Sequence, residues 1–219
     1  AFNSRRYIDS AIQSVREQRY RKFELVIIDG GSTDGTLDIV RKHAAVDPRI
    51  RLILNKPDHG PAHARSVGIK SSVGEYVAFL DADDYWLPGK LGEQVAFMVS
   101  TGARFSYTLY RTVSDNGERI GCIVPMRKKY NYSSALSHRG IGTLTVMVRR
   151  ALLAEDVISV WKKAGGEEYL WWLLILKQGI VAQLLPLDLA RYRNTVGSLS
   201  KNQLYTLCSV WKMYRRDLA

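Results

Sequence analysis

Behind Asn3-Ser4, which read as a helix cap, apolar residues recur at helical spacing: Tyr7, Ile8, Ala11, Ile12 and Val15. Residues 23–29, FELVIID, are a continuous apolar run with β-branched members that stops at an acid. Such a run is expected of a strand buried on both faces of a parallel sheet. The turn GGSTDGT follows, with Asp34 placed to cap a helix carrying Leu37, Ile39 and Val40. RIRLILN (49–55) predicts a strand, GPAHARSVGIKSS (60–72) a helix with Pro in its first turn, and GEYVAFL (74–80) another strand. This βαβα alternation predicts an α/β fold, Rossmann-like, with a mostly parallel sheet and helices on both faces.

The second half alternates differently. A helix is predicted from Pro88 to about Ser100. RFSYTLYRTV and ERIGCIVP alternate with period two around SDNG, the signature of an antiparallel hairpin. TLTVMV (143–148) and LDLARYR (187–193) predict strands. GGEEYLWWLLILKQG (165–179) predicts a mostly buried helix with acids in its first turn and Gly179 at its end. A helix of aromatic and basic residues is predicted over 200–217. At 219 residues the chain fits one domain: a nucleotide-binding half (1–102), a mixed, partly antiparallel acceptor half (103–199) and a C-terminal helix (200–219). The first residues, AFNSRRYI, carry neither an initiator Met nor a strand ahead of the first helix, so the chain is expected to be clipped at its start.

The net charge of +11 and a pI near 9.7 call for an anionic partner. Nucleic acid, anionic lipid and phosphorylated substrates all qualify by charge. No recognition helix or stacking sheet is visible, so nucleic acid is not expected. The longest apolar run, Leu170 to Leu176, is far short of the roughly 20 residues of a membrane span. Cys122 and Cys208 lack metal-ligand spacing and read as buried free thiols in a reducing compartment. His59 and His63, in or near a loop, read as structural or surface residues.

The chemistry concentrates in FLDADDYW (79–86). Ligands of open α/β sheets bind beyond the carboxyl ends of strands, and Asp29, Asp81 and Asp83 end two of them. If those strands neighbour each other, the three acids face one crevice. Crowded carboxylates there suit Mg2+ or Mn2+, shared with substrate phosphate oxygens and acting as a Lewis acid toward a departing diphosphate. The competing reading is a capping cluster for the helix at Pro88, a part that Asp84 alone would fill.

FELVIIDGGSTDGT, HGPAHARSVGI, GEYVAFLDADDYWLPGKL and GGEEYLWWLLILKQG stand in the same order in family 2 glycosyltransferases of the GT-A fold, which this sequence resembles from about Phe2 to Ser200. The resemblance implies an inverting, metal-dependent hexosyltransferase of bacterial polysaccharide biosynthesis. It would move a sugar from a nucleotide diphosphate sugar, commonly UDP-linked, to a hydroxyl of a glycan or lipid-linked acceptor. It implies that Asn3 belongs to a loop touching the nucleobase, that Asp29 bonds the base, and that Arg65 lines the same pocket. Gly30 stands where many relatives carry a second Asp. Asp81-Ala82-Asp83 matches the DXD motif, with Asp81 on the ribose or metal shell and Asp83 on the metal. Glu167-Glu168 matches an acid pair whose second member, Glu168, would be the catalytic base, with Glu167 the alternative. YRNTVGSLS resembles a segment that closes over the diphosphate, with Thr195 where some relatives have a metal-binding His and with Arg193 and Ser198 nearby. The tail from Leu204 would either pack on the catalytic domain or attach to anionic lipid, placing a cytoplasmic protein peripherally at the inner membrane face. Two other classes remain: a sugar-phosphate nucleotidylyltransferase, which wants a Gly-rich basic loop not visible here, and a non-catalytic nucleotide-sugar-binding module.

Overall fold

The computed structural model describes residues 1–56, 60–138, 140–159 and 167–195. The predicted C-terminal helix, Cys208, Ser198 and His59 lie outside these residues, as does the side chain of Glu167. The elements run α1 (Ile8–Arg16), β1 (Leu25–Asp29), α2 (Thr36–Val46), β2 (Ile50–Leu54), α3 (Pro61–Ser71), β3 (Tyr76–Ala78), β4 (Tyr85–Trp86) and α4 (Lys90–Thr101). The second half continues β5 (Phe105–Ser114), β6 (Ile120–Ile123), β7 (Lys129–Tyr130), α5 (Tyr132–Ser137), β8 (Met147–Arg149), α6 (Glu155–Ile158), α7 (Glu167–Lys177) and β9 (Ala182–Asn194).

The α/β alternation of the first half forms as its periodicity predicts, but the strands are shared between two sheets. β1 and β2 pair in parallel from Leu25↔Ile50 to Asp29↔Leu54. Their apolar residues pack with α1 and α2 through Ile8, Ile12, Ile27, Val40 and Ile50. Ala1 lies along the other edge of β1: its backbone nitrogen donates to the Ile28 carbonyl at 2.5 Å, and its carbonyl accepts the Gly30 N–H at 2.9 Å. β3 belongs to the larger sheet, ordered β3-β8-β5-β9-β4, with β6 on β5 and β7 on β9. There β3 pairs antiparallel with β8, Tyr76↔Arg149, while β5 and β9 run parallel. Among the described residues β1 and β3 share no ladder, so adjacency of the two acid-bearing strands is replaced by a bridge through α3, which packs on β1.

The main core lies under α7. This helix is apolar on all sides, the mark of a buried helix, and Trp171, Leu173 and Ile175 are completely buried. Trp172 meets the Phe105 ring at 5.3 Å and the Phe79 ring at 5.7 Å, centroid to centroid. Burial of each such side chain contributes about 1.5–3 kcal/mol. Phe79 follows β3 directly, so this packing fixes where the acidic loop after it begins.

Several local expectations change. β9 begins at Ala182, ahead of the predicted start, because Pro186 sits where the pairing with β5 shifts register, a bulge that tolerates the missing N–H. Only the end of TLTVMV is a strand, since Thr143–Thr145 form a 3-10 turn closed by the Thr145 hydroxyl donating to Gly142 O at 2.6 Å. α1 starts without a side-chain cap, and Ser4 serves through its carbonyl, which accepts the Tyr7 and Ile8 N–H groups. Asp34 accepts the Thr36 N–H at 3.0 Å, one residue ahead of Gly35 at the cap position. Cys122 is exposed on β6 and not buried.

Candidate active site

Arg65 stands in the second turn of α3, whose start is set by Pro61 at the first helical position. The Ser66 hydroxyl donates to the Ile158 carbonyl at 2.8 Å in a buried contact, pinning α3 to α6. So held, Arg65 is largely buried, with 13% of its side chain exposed. One guanidinium nitrogen, Nη2, donates to Asp81 Oδ1 at 2.5 Å. The other, Nη1, is ion-paired with Glu168, though not aligned as a hydrogen bond. Glu168 lies in the first turn of α7, where the helix dipole also favours a carboxylate. One guanidinium therefore joins the acidic loop to Glu168, although the three residues come from separate parts of the chain.

Within the acidic loop the three aspartates differ. Asp81 keeps 42% of its side chain exposed. Burial pushes the Asp83 carboxyl up, and repulsion from Asp81 adds to it, opposed by the charge of Arg193 and a hydrogen bond from Thr195. Asp84, 1% exposed, is pushed up to about 8 by burial, with Asp81 and Asp83 repelling it further. Its Oδ1 accepts the Arg193 N–H at 2.8 Å, and Oδ2 has no partner among the described residues. Asp84 thus ties the loop to β9. It does not cap the next helix, which starts at Lys90 behind Gly89 without a side-chain cap.

Asp29 ends β1 fully buried. Its Oδ1 accepts the N–H groups of Gly31 and Ser32, each at 2.8 Å, and its Oδ2 accepts the Ser32 hydroxyl at 2.6 Å. Asn3 holds the same turn from the other side: its N–H donates to Ser32 Oγ and its Oδ1 accepts the Thr33 N–H, both at 2.9 Å. The structure therefore brings Asp29 and Asn3 together on the 31–33 turn, and Arg65, Asp81 and Glu168 together at the end of β3. His63 is not isolated, because its Nδ1 meets the Asn55 amide at 3.0 Å.

Among the described residues no three His, Cys, Asp or Glu side chains converge as a ready metal cage. What they offer is an oxygen-only pair, Asp81 and Asp83, in which the charge of Asp81 raises the cost of ionising Asp83. That donor set fits a hard divalent cation whose remaining ligands are phosphate oxygens and water.

Arg193, which the sequence places only in a segment resembling one that closes over the diphosphate, reaches the acidic loop itself. β4, directly after the acids, pairs antiparallel with β9 through Tyr85↔Arg191. That register delivers Arg193 and Thr195 to the acids, and a two-residue strand leaves no periodic signal by which to foresee it.

With this geometry in hand, likeness to known proteins is informative. TuaG of Bacillus subtilis (strain 168), a glycosyltransferase assigned to teichuronic acid biosynthesis, is 33% identical over 215 residues, covering 98% of this chain and 84% of that protein. The Escherichia coli UDP-Glc:alpha-D-GlcNAc-diphosphoundecaprenol beta-1,3-glucosyltransferase WfgD is 32% identical over 212 residues, 96% of this chain and 81% of that protein. In fold, the chain is similar to S. aureus TarS 1-349 in complex with UDP-GlcNAc, with a TM-score of 0.76 at 20% identity over 100% of this chain. It is also similar to the mannosyltransferase PcManGT from Pyrobaculum calidifontis in complex with GDP-Man and Mn2+, with a TM-score of 0.73 at 19% identity over 99% of this chain. The chain spans 66% and 62% of those two proteins' chains, and the likeness shows the GT-A fold. The profile of Glycosyl transferase family 2 matches residues 1–219, and the chain belongs to that family.

Proposed function

We propose that the chain is a metal-dependent, inverting hexosyltransferase that moves a sugar from a UDP-linked donor to a hydroxyl of a lipid-linked glycan acceptor. The observation that carries this reading is the Arg65 bridge, which places a donor-type acid, Asp81, and a candidate base, Glu168, on one guanidinium. Residues 1–102 would form the donor half and 103–199 the acceptor half, with 200–219 as a tail.

In this reading the nucleobase lies against the 31–33 turn, with Asn3 and Asp29 shaping that end and Arg65 beside it. Asp83 holds Mn2+ or Mg2+ directly, with Asp81 on the ribose or the metal shell. A bound cation supplies Lewis-acid stabilisation of the departing diphosphate. Glu168 takes the proton of the acceptor hydroxyl as its oxygen bonds the anomeric carbon from the face opposite the leaving group. The bond to the diphosphate breaks, its electron pair leaves with UDP, and the anomeric configuration inverts. General-base help of this kind is worth about 10²–10⁴-fold. Glu167 is the alternative base, one residue earlier on the same helix.

The donor and acceptor classes draw support from WfgD, named for a UDP-Glc donor and a diphosphoundecaprenol-linked acceptor, and the metal from PcManGT, solved in complex with GDP-Man and Mn2+. Among the described residues no helix is long and apolar enough to cross a membrane. We place the protein peripherally at the inner face of the cytoplasmic membrane, where its net charge of +11 favours anionic lipid and an anionic acceptor. The test is release of UDP from a panel of UDP-sugars given a diphosphoundecaprenol-linked GlcNAc acceptor and Mn2+. Release that needs both acceptor and metal supports the reading, and release with neither dependence contradicts it.

A further inference from the structure

Arg193 carries more contacts to the acidic loop than any role assigned so far requires. We propose that it is a positioning residue for the donor site, holding the acidic loop in the shape that presents Asp83 to a divalent cation and diphosphate. The inference rests on the proposed reading of Asp83 as metal ligand.

Arg193 is 7% exposed, near the end of β9. Its backbone N–H donates to Asp84 Oδ1 at 2.8 Å and its Nε to the Asp83 carbonyl at 2.8 Å. Nη1 donates to the Asp115 carbonyl at 2.9 Å, in the turn between β5 and β6. The guanidinium carbon lies 5.3 Å from the Tyr7 ring centre and 5.5 Å from that of Tyr85, so α1 and β4 flank it. Asp115 is itself held by the Tyr7 hydroxyl and by Arg6, the latter at 2.6 Å. Gly117 completes the turn at a φ of +79°, and a Cβ there would lie 3.2 Å from Arg193 Nη1. Four segments thus close on one side chain.

The chemistry of the side chain explains the choice. A guanidinium presents its donors in a rigid plane and can reach two carbonyls on different loops at once. A lysine ammonium keeps the charge but not the fork. The two candidate roles, charge and shape, also predict opposite signs. A buried positive charge repels an incoming cation, so a purely electrostatic part means that its removal tightens metal binding. A positioning part means that loss of the fork weakens metal binding even when the charge remains.

The experiment is calorimetric titration of UDP into the full chain at a series of fixed Mn2+ concentrations, from which the Mn2+ affinity follows by linkage, for wild type, Arg193→Lys and Arg193→Gln, with the acceptor KM and Tm measured alongside. Partners behind metal ligands typically control affinity by about 10–100-fold. Both variants are expected to weaken Mn2+ affinity within that range while leaving the acceptor KM unchanged. Gly117→Ala, which crowds Nη1 from the turn without touching the acids, is expected to weaken it in the same direction and stands in should an Arg193 variant not fold. Arg111→Lys, at an arginine bonded to Asp188 away from the loop, is expected to leave affinity unchanged. Arg193 variants with wild-type or tighter Mn2+ affinity, in a wild type that needs Mn2+ for UDP, overturn the role of Arg193 alone. A wild type that binds UDP equally without Mn2+ overturns the metal reading of Asp83 and this inference with it.

Discussion

Arg65 on α3 is ion-paired with Glu168 in the first turn of α7, while its other nitrogen holds Asp81. A residue that touches both the donor acids and the base should affect both kinetic parameters. Arg65→Met is expected to raise the donor KM and lower kcat together, by about 10- to 150-fold in kcat/KM. That range follows from the ~1.5–3 kcal/mol of a hydrogen bond to a charged group. Steady-state kinetics at varied donor concentration decide it; an unchanged kcat confines Arg65 to donor binding.

Glu168→Gln preserves the shape of the side chain and removes its basicity. Donor binding is expected to persist while transfer falls by at least about 10²-fold. Measuring UDP affinity and turnover on the same preparation separates the two. Normal turnover would move the base elsewhere, with Glu167→Gln as the next variant to assay.

Asp84 differs from its neighbours because burial pushes its carboxyl up to about 8, which favours the neutral form near pH 7, with Oδ1 accepting from Arg193. Asn reproduces that acceptor, so Asp84→Asn is expected to be at least as stable as wild type at pH 7. Asp84→Ala leaves the Arg193 N–H buried and unsatisfied, a loss of about 1–3 kcal/mol. Thermal unfolding of the pair checks this, and equal losses in both would contradict it.

A second carboxylate far from the site sets an acid limit on stability. Arg49, bonded to Asp47 at 2.7 and 2.9 Å, holds the Asp47 carboxyl well below its usual range. A depressed folded-state pKa contributes stability that is present above the unfolded value, near 4, and lost as pH falls through the folded one. Urea midpoints of wild type are therefore expected to drop below pH 4 more steeply than those of Asp47→Asn. Parallel acid limbs would show that this pair does not matter to folding.

Most of the fold could be read from the chain because its signals are local. The apolar run ending in Asp29, Pro61 at a helix start, the SDNG turn and the uniformly apolar α7 each determine their own element. What escaped depends on pairing between distant segments. The β3–β8 ladder, the bulge at Pro186 and the register that brings Arg193 to Asp83 leave no trace in periodicity. The candidate site divides the same way. The acids announce themselves by crowding, whereas the bridge from Arg65 to Glu168 and the helix-independent role of Asp84 exist only once α3, α7 and β9 have met.

The account stands on a cation joining Asp81 and Asp83 to a nucleotide diphosphate. Calorimetry of UDP with wild type and Asp83→Asn, in Mn2+ and again in excess chelator, tests it most directly. Wild type is expected to bind UDP in the micromolar range with Mn2+ and to lose most of that affinity in chelator, with Asp83→Asn weak in both. Equal affinity for wild type with and without metal, or undiminished Mn2+-dependent binding by Asp83→Asn, would contradict it.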